Sequence, residues 1–220
     1  MYTYAFLSTP PSTLPEGIFS SLQMVSIQGL AALVEPDLAA ESLPETDQQL
    51  VQAVLSHDRV IRELFEQTTV LPLRFGTCFV SRQGLLEHLQ AKRTEYLTKL
   101  EELEGKAEYA LKLKSIAFPE TEIGTDVKGK DYFLAKKQIY QAQAAWQLEQ
   151  QTELEAWVEA IAQQYACVRG KADEGVERIY VLGDRQSAPL LPTSFKTWQL
   201  QSAPGEIGLG NPLPPYHFVS

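Results

Sequence analysis

Leu50-Val-Gln-Ala-Val-Leu-Ser-His-Asp-Arg-Val-Ile-Arg-Glu-Leu-Phe65, a short polar break, then Val70-Leu-Pro-Leu-Arg-Phe-Gly-Thr-Cys-Phe79: across this stretch the apolar period changes from helical to extended, and that change decides the fold. In the first part Leu50, Val54, Ile61, Leu64 and Phe65 recur at helical spacing, while Asp58, Arg59, Arg62 and Glu63 take the wetter face. Thr46 or Asp47 is the expected cap. The helix should end near Thr68-Thr69, because Val70-Leu71-Pro72 begins an extended segment. Beyond it, Leu71, Leu73, Phe75 and Phe79 are expected on one face, with Arg74, Gly76 and Cys78 on the other.

Towards the N-terminus, Tyr2, Tyr4 and Phe6 alternate with Thr3, Ala5 and Leu7, which predicts a strand. A loop with Pro10, Pro11 and Pro15 follows. Met24, Val25 and Ile27 are separated from Leu30 to Val34 by Gln28-Gly29, a hairpin signal, and Pro36 closes the second arm. Towards the C-terminus, Ser81 caps a second helix with the stripe Leu85, Leu86, Leu89, Tyr96, Leu97, Leu100 and Leu103, stopped by Gly105. From Lys106 to Ile116, Tyr109, Leu111 and Leu113 alternate with Glu108, Lys112 and Lys114, a strand with one packed and one wet face. A long helix is expected from about Asp131 to Tyr165, with Ile139, Trp146, Leu154, Trp157, Ile161 and Tyr165 as its stripe and a weakly amphipathic Gln- and Ala-rich middle. Two β segments, 176–182 and 195–200, a turn-rich stretch from Pro204 to Pro215 and a short tail strand, Tyr216 to Val219, complete the pattern.

Hairpins interleaved with helices, rather than strict βαβ alternation, indicate an α+β fold. The expectation is two small domains, an N-terminal ferredoxin-like sandwich over residues 1–104 and a C-terminal α+β domain with the long helix over residues 105–220. The chain has 220 residues, 44% of them hydrophobic, and a net charge of -9. That composition is globular, and the negative charge without any Lys/Arg cluster argues against nucleic acid and anionic membranes as partners. No basic leader followed by a long apolar run is present at the start, so no secretory signal is expected. Cys78 and Cys167 form no ligand or redox motif and read as reduced thiols of a cytoplasmic protein.

Catalytic and cofactor motifs are weak throughout. Gly124-Thr-Asp-Val-Lys-Gly-Lys-Asp131 nearly spells a phosphate-binding loop, but Asp131 replaces the magnesium-binding Ser or Thr and further acids crowd the loop. His57, His88 and His217 lack metal-ligand spacing and read as structural or exposed. Ser56-His57-Asp58 diverges by about 100° per residue on a helix and forms no relay. No catalytic residue, cofactor site or metal site is therefore assigned. Two residues stand out as candidate protein contacts. Arg74 on an otherwise apolar strand reads either as an anchor for a partner's carboxylate or carbonyl, or as an internal bridge to Asp58 or Glu63, the simpler expectation. Trp146, in the weakly amphipathic part of the long helix, is the best exposed anchor; Tyr132, Phe133, Tyr140, Trp157 and Tyr165 are expected mostly in the core.

Several of these segments together resemble one family. Val70-Leu-Pro-Leu-Arg-Phe-Gly-Thr77, preceded by a helix carrying His57 and followed by Ser81 and a Leu-rich helix, resembles the central signature of gas vesicle proteins F and L. Gly129-Lys-Asp-Tyr-Phe133 is similar to the family's Gly-x-x-Tyr-Leu turn, with Phe133 in place of Leu. Glu108-Tyr-Ala-Leu-Lys112 stands where the family has Glu-Trp-Gly-Val-Lys. Gly210-Asn-Pro-Leu-Pro-Pro-Tyr-His-Phe218 resembles the ending Gly-Pro-Trp-Pro-Pro-Tyr-x-Phe, with Asn211 inserted and Leu213 in place of Trp.

The resemblance implies a non-enzymatic assembly protein or minor structural component of gas vesicles, located at the vesicle or in the cytoplasm. Its implied partners are the main shell protein and other accessory proteins. Two alternatives belong to other classes: a nucleotide-dependent enzyme using the loop that ends at Lys130, and a small-ligand-binding regulatory module of ferredoxin-like fold.

Overall fold

The structure, a computed structural model, describes residues 1–43, 46–119, 123–124, 127–172, 175–185 and 205–219. The chain divides into two compact units, Met1–Glu108 with Asp184–Gln186 and Pro212–Ser220, and Tyr109–Gly183 with Ser187–Asn211. The architecture is mixed α+β, with two four-stranded sheets.

In the first unit, β1 (Tyr2–Leu7), β2 (Gln23–Ile27), β3 (Leu30–Glu35) and β4 (Leu71–Pro72) form a sheet in the order β2-β3-β1-β4, antiparallel at every pairing. This is the strand order of a ferredoxin-like sheet in which the Pro-rich loop stands where the first helix would be. All six residues of β1 are buried, as befits an inner strand. The β2–β3 hairpin turns at Gln28 and Gly29, both at positive φ, 46° and 83°, the backbone that matches the twist of the flanking strands. A 3-10 turn at Ala40–Ser42 and helices α1 (Asp47–Phe65), α2 (Arg82–Ala91) and α3 (Arg93–Leu103) belong to the same unit. Buried Val60, Ile61 and Leu64 of α1, Leu85 and Leu89 of α2, and Leu100 and Leu103 of α3 contribute to its core. At the other end of α1, Leu50 and Val54 of the expected stripe are exposed.

Where a single helix is expected after Ser81, the structure has two. Ser81 does cap α2, its hydroxyl accepting the Gly84 amide at 3.1 Å. Lys92 then leaves helical geometry (φ -103°, ψ 9°), and α3 restarts with the Arg93 guanidinium donating to the Gln28 carbonyl at 2.8 Å. Neither Gly nor Pro marks the break, so the Leu period runs through it unaltered.

The second sheet has the order β6-β7-β5-β8, from β5 (Lys106–Ser115), β6 (Ala166–Arg169), β7 (Val176–Asp184) and β8 (Gly205–Leu209). The β6–β7 and β5–β8 pairs are antiparallel. The C-terminal third of α4 (Lys130–Ala162) packs on it, Leu154, Trp157 and Ile161 joining Leu111, Leu113, Ile179, Val181 and Ile207 in one cluster. β8 lies inside the stretch expected to be turns, and β6 was not expected at all. The tail strand expected at Tyr216 to Val219 is instead a turn, with Phe218 N–H bonded to the Pro215 carbonyl at 3.2 Å; Pro214 and Pro215 carry no N–H for a ladder. The β segment expected at 195–200 lies outside the described residues.

Candidate functional site

The segment 70–79 follows β1 as an antiparallel neighbour, yet it is not one extended strand. Leu71 and Pro72 pair with Phe6 and Ala5, the Leu73 amide donates to the Tyr4 carbonyl at 2.9 Å, and contact with β1 resumes where the Thr3 amide donates to the Thr77 carbonyl at 2.9 Å. Between these points Arg74 to Thr77 make a turn out of the ladder. It is closed by the Thr77 amide and hydroxyl on the Arg74 carbonyl, at 3.1 Å and 2.6 Å, and it needs the positive φ of Gly76, 86°. Alternation of side chains through the whole segment, as the sequence suggests, is broken by this excursion.

His57 holds the turn down. Its Nε2 lies 3.0 Å from the Leu73 carbonyl and its Nδ1 lies 2.9 Å from the Tyr2 hydroxyl. A carbonyl can only accept, so Nε2 carries the proton and Nδ1 accepts from Tyr2. The Tyr2 oxygen in turn accepts the Gly76 amide at 3.2 Å. The ring stacks on Tyr4 and meets Tyr2 and Phe75 edge-on, at 5.3 Å, 5.6 Å and 5.7 Å between centroids. Burial pushes the His57 pKa down, against a smaller upward pull from the Leu73 carbonyl and Asp58, which favours the neutral ring with Nδ1 as acceptor. Burial likewise raises the Tyr2 pKa far above the ordinary phenol value. Every polar group in this cluster is spent on its neighbours. The arrangement fixes backbone; it presents no open nucleophile or base.

A second buried node lies on the other side of Tyr4. Glu35, with no exposed surface, accepts the Tyr4 hydroxyl at 2.5 Å and the amides of Ile18, Phe19 and Ser20 at 2.9 Å, 2.7 Å and 2.6 Å. Burial alone would raise its pKa, but these four donors outweigh it and the net shift is downwards. The carboxylate thus organises the end of the Pro-rich loop. Gly17 makes room for it: a Cβ there would sit 2.2 Å from the Ser20 carbonyl oxygen and 2.7 Å from the Glu35 carboxylate.

A third node fastens the C-terminal segment. Glu108, expected on a wet strand face, is instead wholly buried and accepts the His217 amide and Nδ1, both at 2.8 Å. Its backbone exchanges two hydrogen bonds with Leu213. The Tyr216 hydroxyl donates to Asp58 at 2.5 Å, and Asp58 also accepts from Arg62 at 2.6 Å. Arg185 caps the end of α1, donating to the Phe65 carbonyl at 2.7 Å with its guanidinium 4.0 Å over the Phe65 ring. Apart from the i,i+4 pair Asp58–Arg62, none of these partners is signalled by local sequence, since each joins residues far apart in the chain.

The internal bridge expected of Arg74 is not made. Arg74 is exposed at the apex of the clamped turn; Asp58 pairs with Arg62 and Glu63 with Arg59. Trp146 is half-buried rather than fully exposed: its indole N–H donates to the Ile116 carbonyl at 3.3 Å and its ring meets Phe118 edge-on at 6.3 Å. It lines an open groove of about 390 Å³ with Gln143, Gln147, Gln150, Arg169 and Glu177. Tyr132, Phe133 and Tyr140, expected mostly in the core, are exposed, Phe133 at 71%. His88 hydrogen-bonds Tyr96 at 2.8 Å between Phe6 and Phe79. Among the described residues no strand leads directly into the Gly-rich stretch, since β5 ends at Ser115 and α4 begins at Lys130, whereas a phosphate-binding loop joins a strand directly to a helix. Among the described residues no helix is long and apolar enough to cross a membrane, and no group of three or more potential ligands could hold a metal ion.

Comparison with known proteins bears on what these nodes serve. The family model for gas vesicle synthesis protein GvpL/GvpF matches residues 1–220. No curated protein matches the chain significantly by sequence. Among solved structures, the gas vesicle protein GvpF from Anabaena sp. PCC7120 is similar at a TM-score of 0.68 and 16% identity, over 100% of this chain and 95% of that one. GvpF from Microcystis aeruginosa is similar at a TM-score of 0.70 and 15% identity, over 100% and 98%. At these identities the structural likeness speaks to the fold.

Proposed function

The chain belongs to the GvpL/GvpF family of gas vesicle synthesis proteins, and from that membership we propose that it is a non-enzymatic assembly protein that binds the main gas vesicle shell protein and other accessory proteins at the growing vesicle. The observation that carries this reading is the family match over the full chain, joined to the use made of Val70–Thr77. Leu71 and Pro72 are buried, Leu73 and Gly76 are the groups held by His57 and Tyr2, and Arg74 alone is turned to solvent. Such a rigid turn displays one cation at little further cost in conformational entropy on binding.

A shell protein that assembles into an apolar-lined wall tends to aggregate before assembly, and a partner covering its edges or faces is a physically sensible device. Arg74 is the proposed anchor for a carboxylate or carbonyl of the shell protein. Trp146, at the wall of its open groove, is the proposed second contact. In a pull-down against purified shell protein, Arg74→Glu is expected to weaken binding by about tenfold or more with an unchanged melting temperature. Trp146→Ala should lose more binding than stability. Wild-type protein that fails to retain the shell protein, or variants that bind as wild type does, would overturn the assignment.

A further inference from the structure

Among the described residues, the fully buried side chains of α4 lie in its last third. Leu154, Trp157 and Ile161 are buried, but from Lys130 to Gln151 the helix shows a second apolar seam to solvent: Phe133 (71% exposed), Tyr140 (59%) and Leu148 (69%), with the small Ala144 between them. At about 100° per residue these positions fall within a sector of roughly 80°, about a quarter turn away from the core-facing side chains. An exposed seam of this kind along one helix face is the surface pattern of a helix that pairs with another helix.

Charge says which helix. Around the N-terminal half stand Lys128, Lys130, Lys136 and Lys137 against a single acid, Asp131; around the C-terminal half stand Glu149, Glu153, Glu155 and Glu159 with no base. The Lys136 ammonium lies 5.8 Å over the Tyr140 ring, within the seam. The helix is therefore complementary to itself run backwards. Centring a two-fold axis on Ala144 puts Tyr140 of one copy against Leu148 of the other, and Lys137 within about one turn of Glu155. Ala144 at the axis lets the two backbones approach closely, and a two-fold pairing uses the same patch on both copies. In a chain whose net charge is -9, general repulsion opposes association, so this local complementarity is what selects the antiparallel register.

We propose that α4 pairs antiparallel with α4 of a second copy of this chain through the Phe133–Tyr140–Ala144–Leu148 seam. The seam is about four turns long, at the small end of specific interfaces, so the dimer is weak, with a dissociation constant on the order of 10 µM.

The test is sedimentation velocity of the full chain across concentrations from about 1 to 200 µM, a range that brackets that constant. The wild type should pass from monomer to dimer. Tyr140→Glu is expected to weaken association at least about tenfold, and so is the double variant Lys136→Glu/Lys137→Glu. Adding Glu155→Lys/Glu159→Lys to the double variant should restore dimerisation, which a merely structural effect would not do. All substituted side chains are exposed, and unchanged melting temperatures verify the fold. A monomer throughout the range, a dimer indifferent to Tyr140→Glu, or no rescue by the charge swap would overturn the proposal. So would a monomer whose seam binds an added acidic amphipathic peptide, which would give the face to a different protein. The outcome is independent of shell-protein binding.

Discussion

Replacing His57 by Phe should destabilise the first unit by about 3 kcal/mol and abolish the first step of its acid sensitivity. The phenyl ring preserves the stacking on Tyr4, so the loss isolates the polar bonds. Without an imidazole the Leu73 carbonyl loses its donor and the Tyr2 hydroxyl, although it still accepts the Gly76 amide, loses the acceptor for its proton, in a site where His57 is only 5% exposed. Each orphaned buried group costs about 1–3 kcal/mol. The pH dependence follows from the direction of the shift. Folding lowers the His57 pKa below its ordinary 6.5, so the unfolded chain binds this proton more readily than the folded one. The contribution is complete above about pH 6.5 and is lost as the pH falls from there through the lower, folded-state value, with a slope of at most about 1.4 kcal/mol per pH unit. Urea denaturation of wild type and His57→Phe between pH 8 and pH 5 reads both quantities. Parallel stability curves for the two proteins would refute the role given to the imidazole.

Glu35→Gln should be comparably damaging, by about 3 kcal/mol, despite its near-identical shape. Four donors converge on the carboxylate, and an amide offers one oxygen to them while turning an NH₂ group into the rest, so at least one donor faces another donor. The damage should be local as well as global: exchange of the Ile18, Phe19 and Ser20 amides with solvent should accelerate relative to the β1–β3 ladder. The folded-state pKa of Glu35 lies below its ordinary 4.5. Its contribution is therefore present above that value and lost as the pH drops through the folded one, a second and more acidic step absent from the variant. Unchanged amide protection in the loop would show that the carboxylate does not hold it.

Much of the fold is legible in the sequence because period and burial agree. The alternation Tyr2 to Leu7, the Gln28-Gly29 turn, the Ser81 cap and the stop at Gly105 each rest on a local rule, and each is found. Val70–Thr77 carries the family resemblance in the sequence, but the physical reason for that segment lies in residues outside it. Its alternation conceals the turn at Arg74–Thr77, because what breaks the ladder is His57 and Tyr2, residues distant in the chain. Glu108 misled for a similar reason: an acid in an alternating strand reads as wet until His217 is found against it. The aromatic residues of the long helix misled in the opposite sense. Tyr132, Phe133 and Tyr140 look like core, yet sequence period gives a helix an apolar face without saying what covers it. The candidate contact Arg74 was visible as an anomaly, a charge on an apolar strand, and its exposure at the tip of a clamped turn is what the sequence could not display.

Deleting the gene from a vesicle-forming host and examining the cells by electron microscopy tests the assembly role most directly. Vesicles should be missing or malformed, and restored by wild-type protein but only weakly by Arg74→Glu. Normal, buoyant vesicles in the deletion strain would contradict that role.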